Sequence, residues 1–142
     1  GLVGHCCDAY RGAYSGRQLE TRLPGQALTV RCAPDLLAQA LDKLVDNALS
    51  MSGDDDVVTV VLEAQGDECL LGVRNTGTHL PDELAERLFD SLVSLREKRG
   101  AGPHLGLGLY IVRLVATAHN GEVTARNLPA NNGVEFTLRM RR

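Results

Sequence analysis

The sequence predicts an α/β fold in which a helical layer covers one side of a mostly antiparallel sheet. Three observations carry that prediction. Leu36, Leu37, Ala40, Leu41, Leu44, Val45, Ala48 and Leu49 recur at three- and four-residue spacing, the period of an amphipathic helix. The run Val57-Val58-Thr59-Val60-Val61-Leu62 is β-branched throughout its first five positions, the composition of a strand buried on both faces. Strand-like and helix-like segments then follow one another as strands, helix, two strands, helix, loop, helix and two strands, an order most economically satisfied by two layers.

Residues 1–16 carry scattered Gly and Tyr with little period and read as one or two helical turns around Asp8 and Arg11. The half-apolar runs 18–23 and 27–32 flank Pro24-Gly25, a turn dipeptide, and read as a hairpin or two short strands. Pro34-Asp35 starts the long helix, which runs through Ser52 with Gln39, Asp42, Lys43, Asp46 and Asn47 on its polar face. The acidic loop Gly53-Asp54-Asp55-Asp56 breaks it. After the strand at 57–62, Gln65-Gly66-Asp67 leads into a second strand at 68–74, expected antiparallel to the first. Pro81-Asp82-Glu83 opens a helix to Leu92 or Leu95, and a polar loop occupies 94–105. A third helix starts at Gly106 and is stopped by Gly121; residues 122–127 and 133–140 form a closing hairpin around Asn131-Asn132-Gly133.

Composition narrows the function. The chain has 142 residues, 44% hydrophobic and 23% charged, which is the profile of one globular domain with a core large enough to need no disulfides. Cys6, Cys7, Cys32 and Cys69 show neither a C-x-x-C pair nor zinc spacing with histidine, and they read as reduced thiols. Fifteen basic residues against 18 acidic give a net charge of −3, without the basic excess that phosphate-backbone binding requires, so nucleic acid is not an expected partner. No apolar run approaches the roughly 18 residues of a membrane span.

Three segments offer chemistry. Asn47, on the polar face of the long helix, is either a solvated residue or a neutral oxygen ligand for a hard cation. Asn75-Thr76-Gly77 closes an apolar strand; it is either a plain turn or a site where Asn75 meets an exocyclic amine and Gly77 admits a planar ring to the backbone. Gly102-Pro103-His104-Leu105-Gly106-Leu107-Gly108-Leu109 runs directly into a helix, whose unpaired N–H groups and dipole favour phosphate oxygens. It is not a Walker A sequence, since no G-x-x-x-x-G-K-[ST] is present.

Taken in order, the Asp-Asn-Ala helix, the Asn-x-Gly turn, Leu88-Phe89-Asp90, Gly-Leu-Gly-Leu-Tyr-Ile-Val and the His119-Asn120-Gly121 stop resemble the ATP-binding catalytic domain of bacterial sensor histidine kinases. That domain belongs to the superfamily of gyrase, the heat-shock chaperone ATPase and the mismatch-repair ATPase. The resemblance spans about residues 28–140 and implies a two-layer α/β sandwich, the Bergerat fold, binding ATP with Mg²⁺. It implies that Asn47 binds the metal, that Asn75 takes the adenine-binding position usually held by Asp, and that Gly77 follows it. Leu88-Phe89-Asp90 matches the phenylalanine box, Gly106 and Gly108 lie beside the phosphates, and Gly133 matches the glycine of the last box. Leu80, Phe89, His104, Leu105, Leu107 and Leu109 fall with these among the nucleotide-binding positions.

Where the chain departs from the pattern, Lys43 stands in place of a second Asn and Ser50 in place of a basic residue. His79 and His104 replace glycines, and Leu92 replaces an aromatic. Lys43 is either a surface lysine or the positive charge that Ser50 does not supply, and the resemblance gives it a catalytic place beside Asn47. One of Arg96, Lys98 and Arg99 would touch nucleotide, or the three form a solvated loop. The resemblance further implies γ-phosphoryl transfer to a histidine on a separate dimerisation domain, then to an aspartate of a response regulator. Residues 1–16 would be the linker from that domain and 17–142 the catalytic domain, facing the cytoplasm within a membrane-bound dimer of the inner membrane. A nucleotide-binding or interaction module without transfer, and an anti-sigma-type serine kinase, are the alternatives.

Overall fold

A computed structural model of the chain describes residues 2–24, 33–77, 103–129 and 133–141, with the main chain alone over 103–108. The elements are α1 (Leu2–Ala13), β1 (Gln18–Arg22), α2 (Pro34–Met51), β2 (Val57–Gln65), β3 (Glu68–Asn75), α3 (Pro103–Ala118), β4 (Glu122–Asn127) and β5 (Val134–Arg141). The expected strand at 27–32, the helix from Pro81, the loop cations Arg96, Lys98 and Arg99, and the turn residues Asn131 and Asn132 lie outside the described residues. No described helix is long and apolar enough to cross a membrane.

The five strands form one sheet in the order β1-β2-β3-β5-β4. Three neighbouring pairs are antiparallel, as expected, while β1 pairs with β2 in parallel, from Gln18 opposite Val57 to Arg22 opposite Val61. A parallel pair needs a crossover connection, and α2 supplies it. Among the described strands β1 therefore stands at the sheet edge, reached across a helix, and the expected pairing of 18–23 with 27–32 lies outside the described residues.

Register sorts the side chains by face. Val60, Val73, Phe136 and Ala125 stand side by side across four strands. The first three are fully buried, and Ala125 packs partly buried against the same core. Onto this face α2 lays Leu37, Ala40, Leu41, Leu44, Val45, Ala48 and Leu49, and α3 lays Leu109, Val112, Val115 and Ala116. A fully buried Leu or Val is worth about 1.5–3 kcal/mol, so each of these side chains strengthens the hold between the helices and the sheet. On the opposite face, Arg74, Glu135 and Arg126 form the neighbouring row. Arg74 Nε lies 2.5 Å and Arg126 Nη2 3.0 Å from the two oxygens of the buried Glu135 carboxylate, so both arginines neutralise one acid.

Helix α1 is three turns long, exceeding the short turns expected, because Val3 and Cys7 are buried in the core on one side, with Cys6 and Tyr10 packed against it. The hydroxyl of Tyr10 donates to Asp42 Oδ1 on α2. Burial, then this bond to a carboxylate, raises the Tyr10 phenol, and burial raises the Cys7 thiol to about 11.

The C-terminal end of α2 is finished by a residue from elsewhere, that of α3 by the residues that follow it. At the last turn of α2, Arg17 Nη1 donates to Leu49 O at 3.1 Å and Nη2 to Ser52 Oγ at 2.6 Å, a cap from the α1–β1 connection. At the end of α3, Asn120 N–H bonds to Thr117 O and Gly121 N–H to Ala116 O, the paired bonds of a Schellman motif. Asn120, with φ 55°, is the left-handed residue that stops the helix, not Gly121. Gly121 is required for a different reason: a Cβ there would overlap the Arg139 carbonyl oxygen.

Candidate functional site

Connectivity brings the candidate residues to one end of the sheet. Asn75 closes β3 opposite Val58, near the start of β2, and Val134, the start of β5. Asn47 lies near the C-terminal end of α2, which turns through 52–56 into β2. Helix α3 runs the other way: its C-terminal His119 accepts the N–H of Ala33 at the head of α2, so its N-terminus lies towards the Asn47 end. The last turns of α2, the end of β3 and the first turn of α3 thus converge. The groove on the far face of the sheet, lined by Arg74, Arg126 and Glu135 among others, is separate from them.

Asn47 is not on the solvated face. It is 3% exposed, between Val45 and the fully buried Ala48, and neither Oδ1 nor Nδ2 has a partner among the described residues. Helical geometry gives the reason: Leu44, Asn47 and Ala48 share one side of the cylinder, so a polar pattern that places Asn47 with Asp46 assigns it to the wrong side. A buried primary amide left unpaired costs about 1–3 kcal/mol, so an Asn47 without a partner among the described residues stands out from an ordinary buried side chain. Lys43, one turn earlier, is half-buried, and Ser50 is exposed with its hydroxyl donating to Asn47 O.

The Asn75 turn is built by residues that the spacing alone did not single out. Asn75 is fully buried and its Nδ2 donates to Thr76 O at 3.2 Å. Thr76 locks the turn to β2: its N–H donates to Val57 O, its Oγ1 accepts from Val57 N–H at 2.9 Å, and the same hydroxyl donates to Asp56 Oδ1 at 3.2 Å. Asp56 Oδ2 also accepts the N–H of Gly53, so the acidic loop folds over the turn. Read from sequence, that loop is only a helix breaker; its Gly-Asp-Asp-Asp composition was the available signal for side chains that bond back to the main chain. Gly77, at φ 87°, lies against the Asp56 carboxylate. Gly133, at φ 121°, brings the start of β5 so close to Asn75 O that a Cβ would overlap it.

The glycine segment differs from expectation in where its helix begins. Helix α3 starts at Pro103, not at Gly106, so Gly106 and Gly108 lie within its first two turns. Proline at a helix start explains this, since its fixed φ suits the first turn and it has no N–H to leave unpaired. The N–H groups of His104 and Leu105 then have no partner within the helix and are the donors an anion would meet. Leu109 is fully buried in the core. Gly106, Leu107 and Gly108 are described by main chain alone, and Leu80, His79 and the Leu88-Phe89-Asp90 box lie outside the described residues.

A mixed sheet with a parallel crossover, covered on one face by antiparallel α2 and α3, is an α/β sandwich of the kind seen in the catalytic domains of sensor histidine kinases. The chain belongs to the histidine kinase-, DNA gyrase B- and HSP90-like ATPase family, whose model matches residues 32–142. Among similar proteins, the sensor protein CreC of Escherichia coli strain K12 is 37% identical over 115 residues, 81% of this chain and 24% of CreC. The sensor histidine kinase CusS of the same strain is 31% identical over 124 residues, 85% of this chain and 25% of CusS. The chain therefore spans about a quarter of the length of these relatives. The catalytic domain of the histidine kinase ThkA superposes with a TM-score of 0.82 at 22% identity, covering 99% of this chain and 90% of that one. The ATP-binding domain of PrrB from Mycobacterium tuberculosis gives 0.77 at 18% identity, with coverage of 99% and 90%. At these identities the two structures speak for the fold.

Proposed function

We propose that this chain binds ATP with Mg²⁺ and transfers the γ-phosphoryl group to a histidine on a dimerisation domain of the same full-length protein. The observation that carries this is the buried amide of Asn47, without a partner among the described residues, at the end of the sheet where Asn75, Gly77 and the head of α3 converge. A neutral amide oxygen suits a hard cation that keeps waters and phosphate oxygens as its other ligands, so Asn47 would hold the metal. Bound there, Mg²⁺ supplies charge neutralisation for the polyphosphate.

The chain's own residues do the rest by positioning and charge. The Asn75 carboxamide oxygen accepts from the adenine amine, and Gly77 allows the ring to lie against the main chain. His104 and Leu105 N–H groups, with the α3 dipole, hold phosphate oxygens beside Gly106 and Gly108, and Lys43 supplies a positive charge on the Asn47 side. In transfer, the bond from the γ-phosphorus to its bridging oxygen breaks, the electron pair leaves with ADP, and an imidazole nitrogen of the acceptor bonds to phosphorus and gives up its proton. Residues 1–16 would lead from the dimerisation domain and 17–142 form the catalytic domain of a membrane-bound dimer. An aspartate of a response regulator is the next acceptor; ThkA has been crystallised with its response regulator TrrA.

The test pairs calorimetry with transfer. A non-hydrolysable ATP analogue should bind with Mg²⁺ present and lose affinity in Asn47→Ala, and ATP labelled at the γ-phosphate should give an acid-labile phosphohistidine on a supplied dimerisation domain. Binding without transfer would reduce the domain to a nucleotide-binding module, acid-stable label on serine would make it a serine kinase, and no binding at all would overturn the reading.

A further inference from the structure

Helix α2 begins without the usual help. Its N-cap is Ala33, which has no side chain to bond to the first turn, and its third helical position is Leu36, which cannot reach back to the Ala33 N–H as a Glu or Gln would. That N–H is taken instead by a residue 86 positions away: it donates to His119 Nε2 at 3.0 Å. His119 Nδ1 lies 2.8 Å from Val115 O, one turn back on α3. A carbonyl can only accept, so Nδ1 carries the proton; Ala33 N–H can only donate, so Nε2 offers its lone pair. Both contacts together require the neutral Nδ1–H tautomer.

From this we propose that His119 is a positioning residue for nucleotide binding, a pin joining the tail of α3 to the head of α2. The two helices are antiparallel, and the ends remote from the pin carry Asn47 on one and the His104 and Leu105 N–H donors on the other. Pinning one end of two rods of 18 and 16 residues sets how far apart their other ends stand, and those ends are the two walls between which the triphosphate would sit. His119 touches no reacting atom; it acts through the angle between α2 and α3. The inference rests on the nucleotide-binding reading above, but the pin itself exists without nucleotide.

The test exploits the two halves of one bond. His119→Leu removes the acceptor and Ala33→Pro removes the donor, at a position whose φ of −83° lies near the range proline adopts. Each should weaken ATP-analogue binding about five- to tenfold, with the double variant no weaker than either single one, since both delete the same contact. His119→Gln, which can still accept from Ala33, should recover most of the affinity. Long-range ¹H–¹⁵N spectra of the nucleotide-free wild type should show the neutral Nδ1–H tautomer, and Ala33→Pro should free the ring to exchange between tautomers. Additive losses, no rescue by Gln, or an Nε2–H tautomer in the wild type would overturn the pin. If the spectra agree but no form binds nucleotide, the binding reading fails and the pin does not.

Discussion

The carboxylate of Asp56 occupies the space that a Cβ on Gly77 would need, so the acidic loop and the Asn75 turn can close on each other only because residue 77 has no side chain. Gly77 also sits at φ 87°, which costs an alanine about 1–2 kcal/mol before any contact is counted. Gly77→Ala should therefore lower stability by at least that amount in urea denaturation and weaken nucleotide binding. Asp56→Ala in that background should restore part of the stability by opening the space. No recovery in the double variant would show that backbone strain alone sets the cost.

Asn47→Ala should separate function from stability. It removes two buried polar atoms that have no partner among the described residues, whose desolvation costs about 1–3 kcal/mol, and leaves a small void that offsets the gain. Thermal unfolding should find the variant within about 1 kcal/mol of wild type, while calorimetry finds Mg²⁺-dependent binding of the ATP analogue lost. A loss of several kcal/mol on truncation would mean that the amide is structural.

Arg17→Ala should fray the site helix from its C-terminal end. Two charge-assisted donors to Leu49 O and Ser52 Oγ disappear, and the last turn of α2 has no basic residue of its own to replace them. A cost of about 1–2 kcal/mol is expected, and Ser52→Ala should add little on top of it because it deletes part of the same cap. Faster amide exchange at Leu49 to Ser52 is the direct readout.

Glu135 provides a control on the opposite face. Glu135→Ala strands Arg74 and Arg126, but both guanidinium groups reach water, with side chains 34% and 63% exposed, so the cost should be about 1–3 kcal/mol, below that of a fully buried pair. ATP-analogue affinity, measured well below the melting temperature, should not change. A concomitant loss of affinity would connect this row to the site across the sheet.

Alkaline titration should unlock α1. Burial raises the Cys7 thiol from an ordinary 9.0 to about 11, and burial with the Asp42 bond raises Tyr10 as well. A group whose folded value is raised contributes stability in full below its unfolded value and loses it as pH climbs to the folded one, so stability should fall from about pH 9 to 11. Cys7→Ala should flatten that slope in denaturation measured across the range. An unchanged slope would mean that the thiol is already reached by water.

Much of the fold could be read directly, for a definite reason. The period of α2, the β-branched run of β2, and the turn residues at Gly66 and Gly133 are local properties, and hydrophobic periodicity reports local geometry faithfully. Asn75, Gly77 and the glycine segment were legible as site candidates because special backbone and unpaired N–H groups leave marks on nearby residues. The parallel seat of β1 was not legible, since its partner lies across an intervening helix, and neither were the roles of Asp56, Arg17 and His119, each defined by a bond to a residue far along the chain.

What the sequence by itself determined is the described strands from Val57 on, the long helix with most of its core side, and the family; the elements follow from spacing within a short window, the family from the order of motifs along the chain. Only the tertiary structure decided that Asn47 is buried rather than solvated, that Asn120 and not Gly121 ends α3, and that α2 is held at both ends by other segments. Burial and capping depend on which surfaces meet once α2, α3 and the sheet have packed, and no local pattern contains that information.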